Sequence, residues 1–256
     1  MTRLLTVFTA LLLATTAACV DAPTVDEVAA AATWSDTSTR PSFDLWKSTD
    51  GQHRFHLKDA DGAILVTSEG YSSRTAALGG LLSVLANGTA AKNYDVRATA
   101  SGGGYFNLKA ANGQIIATSG NAPSIAAAQA DADATRAAIG VYQAAWAAAT
   151  GRRFALHLDV GGKYYWNLHA GNGEIVLRSQ RYDSEAAALN GAFSVSDNGT
   201  TAARYQVLPA QNGGYYFNLT ATNGQVIGTS EVYASKSNAE RGRDGIIALL
   251  PTIALL

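Results

Sequence analysis

The constraint that dominates this chain is one motif written four times. Tyr105-Phe106-Asn107-Leu108 leads to Asn112-Gly113 and closes on Thr118-Ser119, and Tyr216-Phe217-Asn218-Leu219 leads to Asn223-Gly224 and closes on Thr229-Ser230. The other two copies are Tyr165-Trp166-Asn167-Leu168 with Asn172-Gly173 and Ser179, and Arg54-Phe55-His56-Leu57 with Asp61-Gly62 and Ser68. The turn glycines stand at 62, 113, 173 and 224 and the closing serines at 68, 119, 179 and 230, so both series step by 51, 60 and 51 residues. A longer period lies above this one. Ser83-Val84 through Asn87-Gly88-Thr89 returns 111 residues later as Ser194-Val195 through Asn198-Gly199-Thr200. That shift equals the first two steps together, so the unit is a pair of repeats, duplicated once. Two domains follow, residues 42–150 and 151–256.

Each repeat reads as three strands and a helix. The first strand carries apolar residues two apart, as in Phe43-Asp44-Leu45-Trp46, which places them on one side. Asn-Gly or Asp-Gly between the second and third strands predicts a two-residue type I′ hairpin, whose central residues both need positive φ. Pairing across such a turn sets Leu57 opposite Val66. It gives a core face of Phe55, Leu57, Ile64 and Val66, and in the third repeat of Trp166, Leu168, Ile175 and Leu177. A helix follows the closing serine, from Ser73 through Val84 in the first repeat and from Ser184 through Val195 in the third. Ala77, Leu78, Leu81 and Val84 have helical spacing. Asn87-Gly88 and Asn198-Gly199 then stop the helices, Gly being the usual residue past a helix end. In the second repeat the helix runs from about Ser124 to Thr150, with Gly140 as a candidate break.

The string Tyr-Phe-Asn-Leu-x-Ala-x-Asn-Gly-Gln-(Val/Ile)-Ile-x-Thr-Ser, followed by Glu231-Val232-Tyr233-Ala234-Ser235-Lys236, resembles the YegP-like family, a bacterial domain of unknown function found in tandem copies. The resemblance covers all four repeats. The second departs after Ser119, where Gly120-Asn121-Ala122-Pro123 replaces the Tyr and Lys. The resemblance implies an α+β fold of two pseudo-symmetric domains. Each is an antiparallel sheet from two β3-α(-β) repeats with helices on one face, the repeats exchanging their last strands. It implies no reaction.

Composition narrows the function classes. With 19 Lys+Arg against 20 Asp+Glu and a net charge of −1, the chain lacks the basic excess of a nucleic-acid binder. One cysteine excludes an intramolecular disulfide and a cysteine-built zinc site. His53 and His56 point to opposite faces of a strand, and His157 and His169 stand where the other repeats carry unlike residues, so no metal or cofactor is expected. The amino terminus reads as an address. Arg3, the apolar run Leu4 to Leu13 and Thr16-Ala17-Ala18 make residues 1–18 a signal peptide. The apolar run is far below the roughly 20 residues a membrane-spanning helix needs. The lone Cys19 resembles the cysteine of a bacterial lipobox, with Thr16 where Leu is usual. This implies lipid attachment at Cys19 and membrane anchoring in the outer membrane or periplasm, with plain secretion as the alternative. Residues 19–41, with Trp34 as their one large apolar side chain, read as a flexible tether.

The sheet face opposite the core carries the candidate contacts: Tyr105 and Asn107, Tyr165 and Asn167, Tyr216 and Asn218, with Thr118, Arg178 and Thr229 and one apolar residue per hairpin beside them. Aromatic rings and amides suit stacking on sugars or peptides. Cross-strand Tyr, Thr and Asn pairs also stabilise any sheet, and recurrence in every repeat favours that simpler role. The closing serines lie on the core side near a helix start, which suits capping better than nucleophilic attack. The expected function is a non-catalytic exported envelope (lipo)protein, a binding or structural module with a glycan or protein partner. The alternative is an enzyme acting on cell-wall or polysaccharide material. It would need a unique cluster in one repeat, whereas the departures His56, His169, Glu174 and Arg178 are scattered.

Overall fold

The computed structural model describes residues 40–211 and 213–255. The signal segment, Cys19 and the tether up to residue 39 lie outside the described residues. The hairpin signals become meanders of three strands, each followed by a helix. The first repeat is β1 (Ser42–Lys47), β2 (His53–Lys58), β3 (Ile64–Ser68) and α1 (Arg74–Asn87). The second is β4 (Tyr94–Ala98), β5 (Gly104–Lys109), β6 (Ile115–Thr118) and α2 (Ile125–Ala148). The third is β7 (Arg153–Leu158), β8 (Tyr164–His169), β9 (Ile175–Arg178) and α3 (Glu185–Asn198). The fourth is β10 (Tyr205–Pro209), β11 (Tyr215–Thr220), β12 (Val226–Thr229) and α4 (Lys236–Leu249).

Two antiparallel six-stranded sheets result, ordered β1-β2-β3-β6-β5-β4 and β10-β11-β12-β9-β8-β7. The repeats of a pair meet through their third strands, with Thr67 opposite Thr118 and Thr229 opposite Arg178. The strand that follows α1, β4, pairs with β5, and the strand that follows α3, β10, pairs with β11, so the last strand of a β3-α-β unit crosses to the half of the sheet built by the next repeat, a one-way form of the expected exchange. Each third strand has one unpaired edge, and joining β3 to β6, and β9 to β12, closes both edges at once.

The hairpin turns also differ from expectation. Gly62 (φ +84°) is the one left-handed residue of its turn. Its N–H bonds the Asp59 carbonyl at 3.2 Å, and the Asp59 N–H bonds the Ala63 carbonyl at 2.9 Å. This is a three-residue loop with a bulge at the glycine, not a type I′ turn. The register therefore shifts between Leu57 and Lys58, and equivalently in the other hairpins. Simple alternation fails beyond that point. Ile64, assigned to the core, is 52% exposed, whereas Ile116, Val176 and Ile227, assigned to the open face, are buried and join the cores.

All four helices open on a serine whose hydroxyl accepts an N–H from the first turn: Ser73 from Ala76, Ser124 from Ala127, Ser184 from Ala187 and Ser235 from Asn238. Helix α2 runs unbroken through Gly140. Gly88 and Gly199 keep helical φ, so they are not left-handed stops. Space demands them instead. A Cβ would lie 2.3 Å from Ile139 Cδ1 at Gly88 and 2.3 Å from Leu250 Cδ1 at Gly199.

The first core joins Phe55, Leu57, Phe106 and Leu108 to Leu81, Val84 and Ile139, and the second joins Trp166, Leu168, Phe217 and Leu219 to Val195, Ile246 and Leu249. Helices α1 and α3 pack against each other across the two halves. Leu78 and Leu189 are buried in this seam and belong to neither core. The helical layers thus lie back to back, and the helix-free faces of both sheets point outward.

Candidate functional site

Strand registry lines up one polar row across each outward face. In the first sheet it runs Asp44, His56, Thr67, Thr118, Asn107, Asp95. In the second it runs Gln206, Asn218, Thr229, Arg178, Asn167, Ala155. The six candidate side chains are therefore divided. Tyr105 and Asn107 lie on the first sheet, and Tyr165, Asn167, Tyr216 and Asn218 on the second, either side of the central β9–β12 pair. The three tyrosines are half-buried, while Asn107 and Asn167 are each only 6% exposed.

The rows differ in charge. In the first sheet Lys58 bonds Asp44 at 3.0 Å and Lys109 bonds Asp95 at 2.6 Å. Hydrogen bonds from Lys109 and Arg97 hold the Asp95 carboxyl below the usual carboxylate range. The equivalent positions of the second sheet carry Ala155 and His169, and Gln206 and Thr220, so both acid–lysine pairs are gone.

The asparagines differ too. Asn107 Oδ1 accepts from Thr118 Oγ1 at 2.9 Å, and Asn218 Oδ1 from Thr229 Oγ1 at 2.8 Å. In the third repeat Arg178 replaces the threonine, and its Nε turns to Glu231 at 2.8 Å. Asn167 Oδ1 is left buried without a partner among the described residues. An unmet buried acceptor is costly, so this atom is the anomaly of the face. Beside it, Asn167 Nδ2 lies 3.2 Å from His157 Nε2. Burial pushes the His157 imidazole down, which favours the neutral ring that can accept this bond. His157 stacks on Tyr165 with centroids 5.0 Å apart, and the Arg181 guanidinium lies 4.5 Å from the Tyr165 ring centre.

The arrangement offers amides, one guanidinium and aromatic rings on an open antiparallel face. It suits hydrogen bonding to a flat or extended ligand better than bond cleavage. Among the described residues no group of three or more His, Cys, Asp or Glu could hold a metal ion, and no helix is long and apolar enough to cross a membrane. The sequence singles out the Tyr and Asn positions but not Arg181, and in it Arg178 is one scattered departure. The signal for Arg178 was its place in the repeat, where the other three copies have Thr67, Thr118 and Thr229.

The closing serines do not cap helices. Ser68 Oγ accepts the Phe55 N–H at 2.9 Å and donates to the Glu69 carbonyl at 2.8 Å. Ser119, Ser179 and Ser230 repeat both bonds with Phe106, Trp166 and Phe217 and with their own following carbonyls. Each serine thus pins the third strand to the second, occupied on both sides of its oxygen.

A family model described as "Domain of unknown function (DUF1508)" matches residues 48–95, 100–129, 159–206 and 210–247, one segment per repeat. The chain is 43% identical over 103 residues to a UPF0339 protein of Pseudomonas aeruginosa, covering 40% of this chain and 94% of that one. It is 52% identical over 82 residues to a UPF0339 protein of Bordetella pertussis, covering 32% of this chain and 74% of that one. Among solved structures, the solution NMR structure of the E. coli protein of unknown function yegP is 37% identical. It covers 40% of this chain and 87% of that one, with a TM-score of 0.38.

Proposed function

We propose, for a chain that belongs to the DUF1508 family, a non-catalytic binding module of the bacterial cell envelope that holds a glycan on the outward face of its second sheet. The observation that carries this reading is Asn167 Oδ1, a buried acceptor with no partner among the described residues, set between Tyr165, His157 and Arg178. A ligand hydroxyl admitted beside Arg178 would give it the donor that threonine gives its counterparts. Tyr165 and Tyr216 flank the row as amphipathic contact surfaces. The envelope assignment rests on Arg3, the Leu4 to Leu13 run and Cys19, which support export and lipid anchoring.

Binding to purified cell-wall sacculi tests the face. A Tyr165→Ala, Tyr216→Ala double variant should lose the association, with stability falling by only about 0.2–1 kcal/mol per lost cross-strand pair. If the tyrosines serve the sheet alone, the same loss of stability appears and association by the folded variant persists. Detergent partitioning tests the anchor: the protein should enter the detergent phase and a Cys19→Ser variant should not.

A further inference from the structure

Residues 111 apart are equivalent, so α1 and α3 meet across the seam as counterparts, and a symmetric seam would show each contact twice. One contact occurs only once. Arg74 on α1 donates to Asn190 Oδ1 and Asp197 Oδ2, each at 2.7 Å, and its guanidinium lies 5.2 Å from the Phe193 ring centre. The counterpart of Arg74 is Glu185, and the counterparts of Asn190, Phe193 and Asp197 are Gly79, Leu82 and Ala86. The second clasp thus has an acid where the first has a base, facing small or aliphatic side chains. In its place is a cavity of about 140 Å³ walled by Leu82, Leu85, Leu156, Tyr142 and Trp146, with Glu185 on its edge.

The Glu185 side chain has no hydrogen bond or ion pair among the described residues, and burial pushes its carboxyl above the usual carboxylate range. Trp146, 42% exposed, stacks on Tyr142 with centroids 6.2 Å apart. A carboxylate without a protein partner that lines the same cavity as an indole attracts a cation, and the leucines exclude water from whatever carries it. The volume equals about five water-sized groups, the size of a chain of about four carbons ending in nitrogen.

We propose that this slot binds a primary ammonium group on a short apolar stem, Glu185 pairing with the ammonium while the leucines and Trp146 cover the stem. The chemistry arrives either as a free alkylamine or as a lysine side chain of a partner protein. The site draws on both halves of the chain and is independent of the outward sheet face.

The test is an NMR titration of the intact protein with n-butylammonium, n-butanol and butyrate. It follows the indole N–H signal of Trp146, identified by its loss in Trp146→Phe. Butylammonium should give a saturable shift, butanol one weaker by about tenfold in affinity, and butyrate none. Glu185→Gln should lower butylammonium affinity to the butanol level while its butanol response stays, which shows the slot intact. Leu82→Trp, which fills the slot, should abolish both. A blocked lysine and its Nζ-acetylated form separate the sources. Binding of blocked lysine alone supports a protein side chain as occupant, and binding of butylammonium but not blocked lysine supports a free amine. Equal affinity of wild type and Glu185→Gln for butylammonium, or equal affinity of wild type for butylammonium and butanol, overturns the proposal.

Discussion

Replacing the closing serines one at a time by alanine separates hairpin pinning from helix capping. In Ser68→Ala the Phe55 N–H loses its acceptor, and Phe55 is fully buried. An orphaned buried donor costs about 1–3 kcal/mol. The second lost bond, to the Glu69 carbonyl, costs little because that carbonyl belongs to an exposed residue that water reaches. The net expectation is a loss of about 2 kcal/mol for Ser68→Ala and for Ser230→Ala, whose bond to Phe217 N is likewise buried. At Ser119 and Ser179 the same bond is part-buried, so water compensates and the loss drops to about 1 kcal/mol. Urea unfolding should show the midpoint falling in that order at constant slope. Heating should show roughly 4–8 °C lost per kcal/mol for a cooperative unit of about 100 residues. Four variants within about 0.5 kcal/mol of wild type, or Ser119→Ala costing more than Ser68→Ala, would refute the pinning argument.

Gly242→Ala places a Cβ 2.4 Å from the Tyr233 hydroxyl oxygen. Overpacking of about 1–3 kcal/mol should outweigh a helix-propensity gain of about 1 kcal/mol, and Tyr233→Ala should relieve it. A double-mutant cycle that comes out additive would sink this. Arg74→Met keeps the apolar stem over Phe193 and gives up the pair to Asp197, which is more than half exposed. It should cost at most about 1 kcal/mol, read as a salt-sensitive part of the unfolding free energy. The Arg54 side chain, with the Gln52 N–H, holds the Asp50 carboxyl at about 2, below its ordinary 3.8. Because the folded value is depressed, the contribution is complete above 3.8 and lost as pH falls toward 2. An NMR titration of the Asp50 carboxyl should show the low midpoint, and Arg54→Gln should return it toward 3.8.

The repeat made most of the fold legible. Period-two alternation assigned Phe55 and Leu57 to the core, and the serines before Arg74 and Glu185 marked true helix starts. Two things were not local enough to read. Alternation says which face a residue takes but not which strand is its neighbour, so the β3–β6 and β9–β12 joints could not be inferred from Thr67 or Arg178. The bulge at Gly62 and its counterparts cancels alternation one residue into the third strand, which is why Ile64 and Ile116 exchanged roles. Close approach, too, is invisible in one dimension. Tyr71, Tyr182 and Tyr233 each set the hydroxyl where a Cβ on Gly80, Gly191 or Gly242 would stand, at 2.1, 2.2 and 2.4 Å. The second repeat has Ala122 and Asp131 at those two positions, losing knob and hole together.

That paired loss gives the rule for finding function in a duplicated chain. Four copies share one backbone, so a side chain the fold requires should recur, or should change together with the neighbour it packs on. Ala122 and Asp131 obey the second clause and need no further reason. Arg178 obeys neither, and at Glu185 the neighbours change without supplying a partner. Arg178 replaces a threonine while Asn167, the threonine's partner elsewhere, stays and is left with an unmet acceptor. Glu185 replaces an arginine, and the residues facing it shrink into a cavity instead of supplying a base. Arg178 leaves behind a buried acceptor without a partner among the described residues, which folding alone would select against, and Glu185 leaves a half-buried carboxylate with no protein base beside it. The two anomalies fall in the third repeat, one on the outward sheet face and one at the seam, and each lacks the partner that a bound molecule would bring: a hydroxyl donor at Asn167 and a cation at Glu185.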